Sequence, residues 1–267
     1  VVEALGLVAT MIKFLDMPSA TVASSSGASG VEGAAAPGGH VALPLLSALL
    51  PLLEALTRSP AYSDDDRVAS GVFRVFGEAF KNLPTLMHQH LSPLVQTIVQ
   101  AFEKHRWPAA LDCVYDSVNA FGSTPGSEDA FLSLLGHLTQ HTVAHLQSAG
   151  HSPAEEPVMV QSYFNMLKGY IIFCPLALLR SSTDTLAVLF GAAVACVECI
   201  TERDSLRAVL LFVGALLKLK GKADKPHLVD AYNHAIHPLV ASEQGQRLLR
   251  GLLTALAGGA AASSQDA

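Results

Sequence analysis

Residues 157–218 read PVMVQSYFNMLKGYIIFCPLALLRSSTDTLAVLFGAAVACVECITERDSLRAVLLFVGALLK, and this stretch decides the fold class. Its apolar residues recur at helical spacing in three segments. The three predicted helices span residues 157–173, 182–200 and 202–220. Pro175 ends the first helix because proline lacks a backbone donor, and Ser182 or Thr183, together with Asp184, gives the second a capped, acidic start. The alternation typical of strands is missing, so the stretch predicts helices packed on helices.

The same pattern extends in both directions along the chain. Further helices are predicted at residues 2–15, 41–57, 63–80, 84–104, 108–121, 127–147, 226–240 and 243–257. Successive helix pairs begin near Asp66, Pro108, Pro157 and Glu202, which is close to the roughly 40–47-residue period of HEAT and armadillo repeats. Because one pair cannot cover its own apolar surface, neighbouring pairs must stack. We therefore predict an all-α fold, a right-handed α-solenoid of HEAT-like antiparallel helix pairs.

Composition divides the chain into four regions. Residues 1–17 are predicted to form a helix that ends a preceding repeat, and residues 41–257 to form the HEAT-like array. Residues 18–40 are rich in Gly, Ser and Ala and cannot bury enough surface to fold, so a disordered insertion is predicted. Residues 258–267 are predicted to be a disordered tail. The chain begins with Val1, already in a helical pattern, and we expect it to be a piece of a longer protein.

Charge and hydropathy exclude several classes of protein. Half of the residues are hydrophobic, 15% are charged, and the net charge is −6. A membrane span needs about 20 mostly apolar residues, whereas the apolar run between Asp184 and Glu198 is shorter. The sequence has no dense cluster of basic residues, so direct binding to nucleic acid is not expected. The four cysteines lie in apolar helices, which favours reduced thiols inside a cell.

Three segments resemble one family of helical-repeat proteins. HVALPLLSALLPLLEALTRSPAYSDDDRVASGVFRVFGEAF, residues 40–80, resembles the arginine-bearing helix of transportin-SR and the region before it. MVQSYFNMLKGYIIFCPLALLRSS, residues 159–182, resembles a later repeat in which a Phe-rich helix leads into a Pro-x-x-Leu-Leu-Arg turn. TERDSLRAVLLFVGALL, residues 201–217, continues the similarity. Over residues 41–257 the chain is thus similar to the transportin-SR / importin-13 branch of the importin-β superfamily, the karyopherins.

The resemblance implies a nuclear transport receptor with no catalytic residue and no cofactor. Such a receptor binds protein cargo on a concave wall formed by the second helix of each pair, contacts Phe-Gly nucleoporins, and releases cargo when Ran-GTP binds. Ran would bind mainly through N-terminal repeats that are absent here. The implied location is the cytoplasm and the nucleus, with shuttling through nuclear pores. The alternative is a HEAT or armadillo scaffold with no role in transport.

The arginine-bearing helix is only partly matched. Three cations are spaced by seven residues and are expected to form one stripe: Arg67, Arg74 and Lys81. An arginine can pair bidentately with phosphoserine, as the family does with its Arg-Ser-rich cargo. However, Gly71 and Gly77 stand where the family pattern has arginines, and Glu78 adds an opposing charge. Phosphorylated Arg-Ser cargo and an importin-13-like, basic cargo range are both left open.

Polar positions on the second helices are the other candidate cargo contacts. They are His88, Gln89, Gln96, Gln100, Lys104, His137, Gln140, His141 and His145. The histidines at 137, 141 and 145 are four apart, a spacing that can chelate a transition metal. We interpret them as a polar helix face, since no Asp, Glu or Cys lies on the same stripe, and we expect no metal. A helical enzyme or metal-binding bundle with an ion near His141 is the third hypothesis.

Two further clusters receive ordinary structural interpretations. Cys196 and Cys199 form a Cys-x-x-Cys motif in mid-helix, away from the helix N-terminus that activates redox thiols, and are interpreted as small buried residues. Four lysines near a helix end are interpreted as a solvated cap, with binding to an acidic patch or a phosphate as the alternative: Lys218, Lys220, Lys222 and Lys225. No phosphate loop or nucleophile elbow appears, and we expect no enzyme.

Overall fold

The computed structural model describes residues 1–14, 42–59, 62, 64–148, 151–219 and 226–255. Within these ranges it contains helices and no strand, which confirms the all-α class. The helices are α1 (Val2–Phe14), α2 (Ala42–Arg58), α3 (Asp66–Asn82), α4 (Pro84–His105), α5 (Pro108–Phe121), α6 (Glu128–Leu146), α7 (Pro157–Phe173), α8 (Pro175–Leu179), α9 (Thr183–Cys199), α10 (Arg203–Lys218), α11 (Pro226–Ala235), α12 (His237–Ala241) and α13 (Glu243–Thr254).

Helix starts follow simple capping chemistry. Proline occupies the first position of α4, α5, α7, α8 and α11, where its missing N–H costs nothing. The Ser182 hydroxyl accepts a hydrogen bond from the Thr185 N–H at 3.1 Å, so of the two predicted caps of α9 the structure uses Ser182. At α10 the Glu202 carboxylate accepts from the backbone N–H groups of Asp204 and Ser205 at 2.9 and 2.7 Å. These carboxylate and hydroxyl oxygens satisfy donors that have no partner within the helix.

One predicted helix is divided in the structure, and another is confirmed in spite of an internal proline. The helix predicted at 226–240 is two helices, since α11 ends at Ala235 and α12 begins at His237. Pro238 explains the break because it has no N–H to continue the ladder. Pro93 lies inside α4, which continues through it as one helix and so confirms the helix predicted at 84–104. The Thr97 hydroxyl donates to the Pro93 carbonyl at 3.1 Å, four residues earlier.

The helices pack in two layers, and the chain passes from one layer to the other and back along most of its length. The close-packed layer consists of α1, α3, α5, α7 and α10, which contact their neighbours extensively in that order. The open layer consists of α2, α4, α6, α9 and α13, whose mutual contacts are sparser. Stacking of this kind is compatible with an α-solenoid.

Glycines permit the close approach in the first layer. A Cβ atom added at Gly71 of α3 would lie 2.9 Å from the Leu5 side chain of α1. One added at Gly77 would lie 2.3 Å from Asp116 Oδ2 of α5, and one at Gly169 of α7 would lie 2.7 Å from the Tyr115 ring. Side chains at these positions would therefore hold the helices apart.

Buried aromatic residues join the two layers. The Tyr163 hydroxyl of α7 is buried and donates to Thr139 Oγ1 of α6 at 3.2 Å. The Tyr170 hydroxyl donates to the Phe131 carbonyl of α6 at 3.1 Å, and the rings of these two residues pack edge to face. Because each buried hydroxyl has a partner, the rings contribute their apolar area without leaving an unpaired donor.

Several sequence-based predictions lie beyond the described residues. The insertion predicted at 18–40 and the tail predicted at 258–267 both fall outside them. Among the helices that are described, none is both long enough and apolar enough to cross a membrane.

Candidate functional site

The three cations of α3 lie on one exposed stripe. Arg67, Arg74 and Lys81 are all exposed, while the residues between them on the other sides of α3 are mostly buried. The exposed fraction of the Arg67 side chain is 76%, against 39% for Lys81. The spacing of seven residues thus places the three side chains on the same side of α3, as predicted.

Neighbouring carboxylates neutralise two of these cations. The Arg67 guanidinium pairs with Asp65 at 3.1 Å, and this hydrogen bond raises the pKa of Arg67 and lowers the pKa of Asp65. Lys81 Nζ lies 3.1 Å from Asp116 Oδ2 and 3.4 Å from Glu78 Oε1. Burial alone lowers the pKa of Lys81, but the two carboxylates outweigh it and the pKa is raised.

Asp116 shows the opposite balance between burial and charge. Burial raises the pKa of Asp116, and the nearby Lys81 ammonium only partly offsets that rise. Arg74 forms no ion pair within the part of the chain that the structure describes. Within those ranges the stripe therefore has one guanidinium, at its centre, that no carboxylate pairs with.

Gly71 and Gly77 are packing positions rather than surface positions. Both face neighbouring helices of the close-packed layer, and Gly77 is buried. An arginine at either position would need space that Leu5 or Asp116 already occupies. The missing arginines of the resembled pattern are thus explained by the tight contacts of α3 with α1 and α5.

The predicted polar contacts lie on the open layer. On α4 the exposed residues include His88, Gln89, Gln96, Gln100 and Lys104. On α6 they include His137 and Gln140, whereas His141 and His145 are half-buried. The structure thus separates these positions from the α3 stripe, which belongs to the other layer.

The first histidine cluster joins α4 to α6. Glu103 of α4 contacts His137 through Oε1 and lies 3.4 Å from His141 Nε2. Arg106 Nη2 donates to His141 Nδ1 at 3.1 Å. The contact with His137 lowers the pKa of Glu103. Burial, with the positive charge of Arg106 next, lowers the pKa of His141.

The second histidine cluster lies at the connection between α6 and α7. Glu156, the residue before α7, lies 2.9 Å from His151 Nδ1 and 3.8 Å from His145 Nε2 through Oε1. The two imidazole rings have their centroids 4.3 Å apart. Burial lowers the pKa of His145, and His151 lowers it further.

Sequence reasoning missed both carboxylates of these clusters. The stripe on α6 itself carries no acidic residue, but Glu103 reaches it from α4 and Glu156 from the start of α7. Glu103 is 34 residues from His137, so helical spacing gives no sign of the contact. The expectation that the chain binds no metal stays a prediction.

An apolar groove lies between α6 and α9, and the sequence did not locate it. Its walls include Val143, Leu146, Ala187, Val188, Gly191, Ala192, Ala195 and Cys196. Gln244, at the start of α13, closes one side. The Gln244 Oε1 atom is buried and, among the described residues, has no hydrogen-bond donor.

The cysteines differ from one another more than expected. Cys113 and Cys196 are buried, and burial raises the pKa of the Cys113 thiol and raises the pKa of Cys196 to about 12. Cys199 was predicted to be buried, but it is exposed because it lies in the last turn of α9. Cys174, also buried, has its pKa raised by burial. Thiols in apolar surroundings are poor nucleophiles.

Of the lysine group, only Lys218 lies within the described residues. It is exposed in the last turn of α10, where its charge complements the helix dipole. Lys220, Lys222 and Lys225 fall outside the described residues.

No protein-family model matches the chain, and a search of curated proteins found no match either.

Proposed function

We propose that the chain is part of a nuclear transport receptor of the importin-β type, which binds protein cargo and Phe-Gly nucleoporins. The resemblance of residues 40–80, 159–182 and 201–217 suggests this class, and the two stacked helical layers are compatible with it. The observation that carries the proposal is the apolar groove between α6 and α9. Receptors of this class insert nucleoporin Phe rings between neighbouring helices.

The groove matches an aromatic side chain followed by a peptide group. Small residues on α9, such as Ala192 and Ala195, leave room, while Val143 and Leu146 of α6 supply apolar contacts. A Phe ring in such a groove is removed from water, which is favourable in proportion to its area. Gln244 borders the same groove, with its Nε2 atom beside Gly191 of α9. The Gly that follows Phe in the repeats lets the backbone come close.

Cargo would bind on the other side of the molecule. In a curved two-layer stack the helices on the inner side are closer together, so the close-packed layer is the favoured inner wall of the proposed right-handed superhelix. That wall carries Arg67, Arg74 and Lys81. If the helix pairs are taken to begin with α2, and not with α3 as in the sequence analysis, the helices of this wall are the second helix of each pair. The polar positions on α4 and α6, including His88, Gln96 and His141, would then face outward, so this arrangement is an alternative to the untested prediction that they contact cargo.

The charges on α3 favour unphosphorylated cargo. Asp65 already engages Arg67, and Asp116 with Glu78 engages Lys81, so among the described residues Arg74 is the one cation of the stripe without an ion pair. A phosphoserine needs several cations to repay its desolvation. We therefore propose that the cargo range is importin-13-like and does not include phosphorylated Arg-Ser segments. We place Ran binding mainly in repeats outside these residues, and the receptor in both cytoplasm and nucleus.

The test measures binding of a synthetic peptide with four Phe-Gly units to the chain, using fluorescence anisotropy. A peptide with Ser in place of each Phe should not bind. Ala192→Gln fills the groove and should weaken binding at least about tenfold, the loss of roughly one buried aromatic contact. Ala130→Gln, the same change at an exposed position of α6, is the matched control and should leave the affinity unchanged.

Two results would favour the scaffold alternative instead. One is equal binding of the Phe-Gly and Ser-Gly peptides. The other is failure of the fluorescently labelled chain to accumulate at the nuclear rim of permeabilised cells while it still retains other proteins. Either result would remove the groove from the transport proposal.

A further inference from the structure

The connection between α6 and α7 brings three metal-binding side chains together. His145 lies in the last turn of α6, His151 follows in the connection, and Glu156 immediately precedes α7. One ligand atom from each lies within 4.8 Å of the others. We propose that His145, His151 and Glu156 form a site for a divalent transition metal ion such as Zn²⁺.

The spacing of the ligand atoms is close to what a metal ion requires. Zinc–nitrogen and zinc–oxygen bonds of about 2.0–2.2 Å place tetrahedral ligand atoms roughly 3.4 Å apart. Glu156 Oε1 lies 2.9 Å from His151 Nδ1 and 3.8 Å from His145 Nε2, on either side of that value. The two imidazole nitrogens lie within 4.8 Å of each other, so side-chain movements of about an ångström are enough to seat an ion among the three ligands.

The chemistry of the ligands selects the class of metal. Two imidazole nitrogens with one carboxylate oxygen suit Zn²⁺, Co²⁺ and Ni²⁺, whereas Mg²⁺ and Ca²⁺ prefer oxygen ligands. Three protein ligands leave room for water on the ion. All three side chains are half-buried, so the site is partly shielded yet open to an ion from solution.

The nearby cluster of Glu103, His137 and His141 has the same ligand types but the wrong surroundings. Arg106 donates to His141 Nδ1, so the ring proton resides on Nε2, the atom that would have to bind the ion. The guanidinium also repels a cation. In that cluster one carboxylate faces one guanidinium, and their charges cancel.

The surroundings of Glu156 are negative instead. Among the described residues, neither a lysine nor an arginine forms an ion pair with Glu156. The adjacent Glu155 accepts hydrogen bonds from the Ser152 backbone N–H and hydroxyl, which fixes a second carboxylate close to His151. Arg106 also acts on His145, but it is the smallest of the influences that lower the His145 pKa. With neutral imidazoles the two carboxylates outnumber this one guanidinium, which favours a divalent cation.

A bound ion would fasten the connection to both helices. Two ligands flank the connection and one lies within it, so the ion closes a short loop between α6 and α7. Because the unfolded chain lacks this arrangement, the ion would stabilise the folded state.

The test titrates the chelator-treated chain with Co²⁺ and follows the visible absorption of four- or five-coordinate cobalt, and then displaces Co²⁺ with Zn²⁺. We expect one Co²⁺ per chain and a higher Tm in the presence of Zn²⁺. His151→Gln and Glu156→Gln should each weaken Co²⁺ binding at least about tenfold, since even outer-shell partners of metal sites are worth 10–100-fold. His137→Gln, at the other cluster, is the matched control and should leave the affinity unchanged.

His151 and Glu156 are partly exposed and Glu156 makes no side-chain cap, so both variants should keep the helical circular dichroism of the parent. The proposal is overturned if the chain binds no Co²⁺, or if His151→Gln binds as tightly as the parent. Loss of binding in His137→Gln alone would place the ion at the wrong cluster and would overturn it as well. None of these results depends on the proposed transport function.

Discussion

Helices of the close-packed layer meet through glycines and buried aromatic rings, whereas helices of the open layer meet across an apolar groove and rows of histidine and carboxylate. The layers thus use the same secondary structure for different purposes. Close contact in the first layer stabilises the fold through dense packing. The same dense packing leaves no room for ligands between its helices. Wider spacing leaves an apolar groove available for a partner. We therefore expect substitutions at the buried helix contacts of the first layer to act on unfolding, and substitutions in the groove of the second layer to act on binding.

The largest difference between the layers should come from truncating a buried ring. Phe164 of α7 is fully buried and its ring centroid lies 5.4 Å from that of Phe212 of α10. Phe164→Ala should lower the free energy of unfolding by about 3–5 kcal/mol because it leaves a cavity. Leu132→Ala on α6, where the side chain is only half-buried, should cost about 1 kcal/mol. Urea unfolding followed by circular dichroism measures both, and equal losses would contradict the division between layers.

The next difference comes from adding one methyl group. Gly169→Ala would place a Cβ 2.7 Å from the Tyr115 ring, and such overpacking should destabilise the chain by about 1–3 kcal/mol. The matched control is Gly136→Ala on α6, where no atom lies within 4 Å of the added Cβ. It should stabilise the chain by about 0.5–1 kcal/mol, since alanine favours helices. The midpoints of thermal unfolding should therefore move in opposite directions.

Ion pairs on the two layers should also differ. Asp116, paired with Lys81, has a side chain that is only 14% exposed, whereas Arg180 and Glu128 are 60% and 40% exposed. Lys81→Met leaves a half-buried carboxylate without its partner and should cost about 1–2 kcal/mol, a value reduced by solvent around Lys81. Arg180→Met should cost under about 1 kcal/mol. High salt should reduce both losses, and a larger loss at Arg180 would contradict the expectation.

The smallest effect concerns the caps and their response to pH. A hydrogen bond from the Ser205 hydroxyl, followed by the Asp204 and Ser205 N–H groups, lowers the pKa of Glu202 below its ordinary 4.5. A carboxylate with a lowered folded-state pKa stabilises the protein above its ordinary pKa, and this stabilisation is lost as pH falls through the folded-state pKa.

Glu202→Gln should remove this acid-sensitive contribution, which we expect to be under about 1 kcal/mol at an exposed cap. On the open layer the cap of α9 is the Ser182 hydroxyl, which does not titrate, so Ser182→Ala should leave the slope of stability against pH unchanged. Urea unfolding between pH 3 and 6 measures both slopes. An unchanged slope in Glu202→Gln would show that the cap does not titrate in this range.

Helices were predictable because their signals are local. Residues 157–173 and the cap at Ser182 were predicted from apolar spacing and capping residues, and the structure confirms both. The end of the helix predicted at 108–121 is confirmed as well, and Gly122 follows it. Gly122 has φ of −60°, outside the left-handed region. Glycine is needed there because a Cβ would meet the Val118 carbonyl at 2.5 Å and the Cys174 side chain at 3.1 Å.

Contacts between distant segments were not predictable from spacing. Glu103 reaches His137 only because α4 and α6 are neighbours in the open layer, and Gln244 closes the groove only because α13 packs on α9. Both depend on how the pairs stack. Likewise Gly71 looked like a lost arginine position until its contact with Leu5 was visible. The seven-residue spacing predicted the cation stripe on α3 but not the carboxylates that pair with Arg67 and Lys81.

The buried thiols make each layer separately observable in time. Cys113 lies within α5 of the close-packed layer and Cys196 within α9 of the open layer, while Cys199 is already accessible. A thiol reagent must wait for local opening before it can react with either buried sulfur. Mass spectrometry after short labelling pulses would therefore measure the opening rate of each layer separately, with the labelling of Cys199 as an internal standard. If the stacked array unfolds from one side, Cys113 and Cys196 should be labelled at different rates.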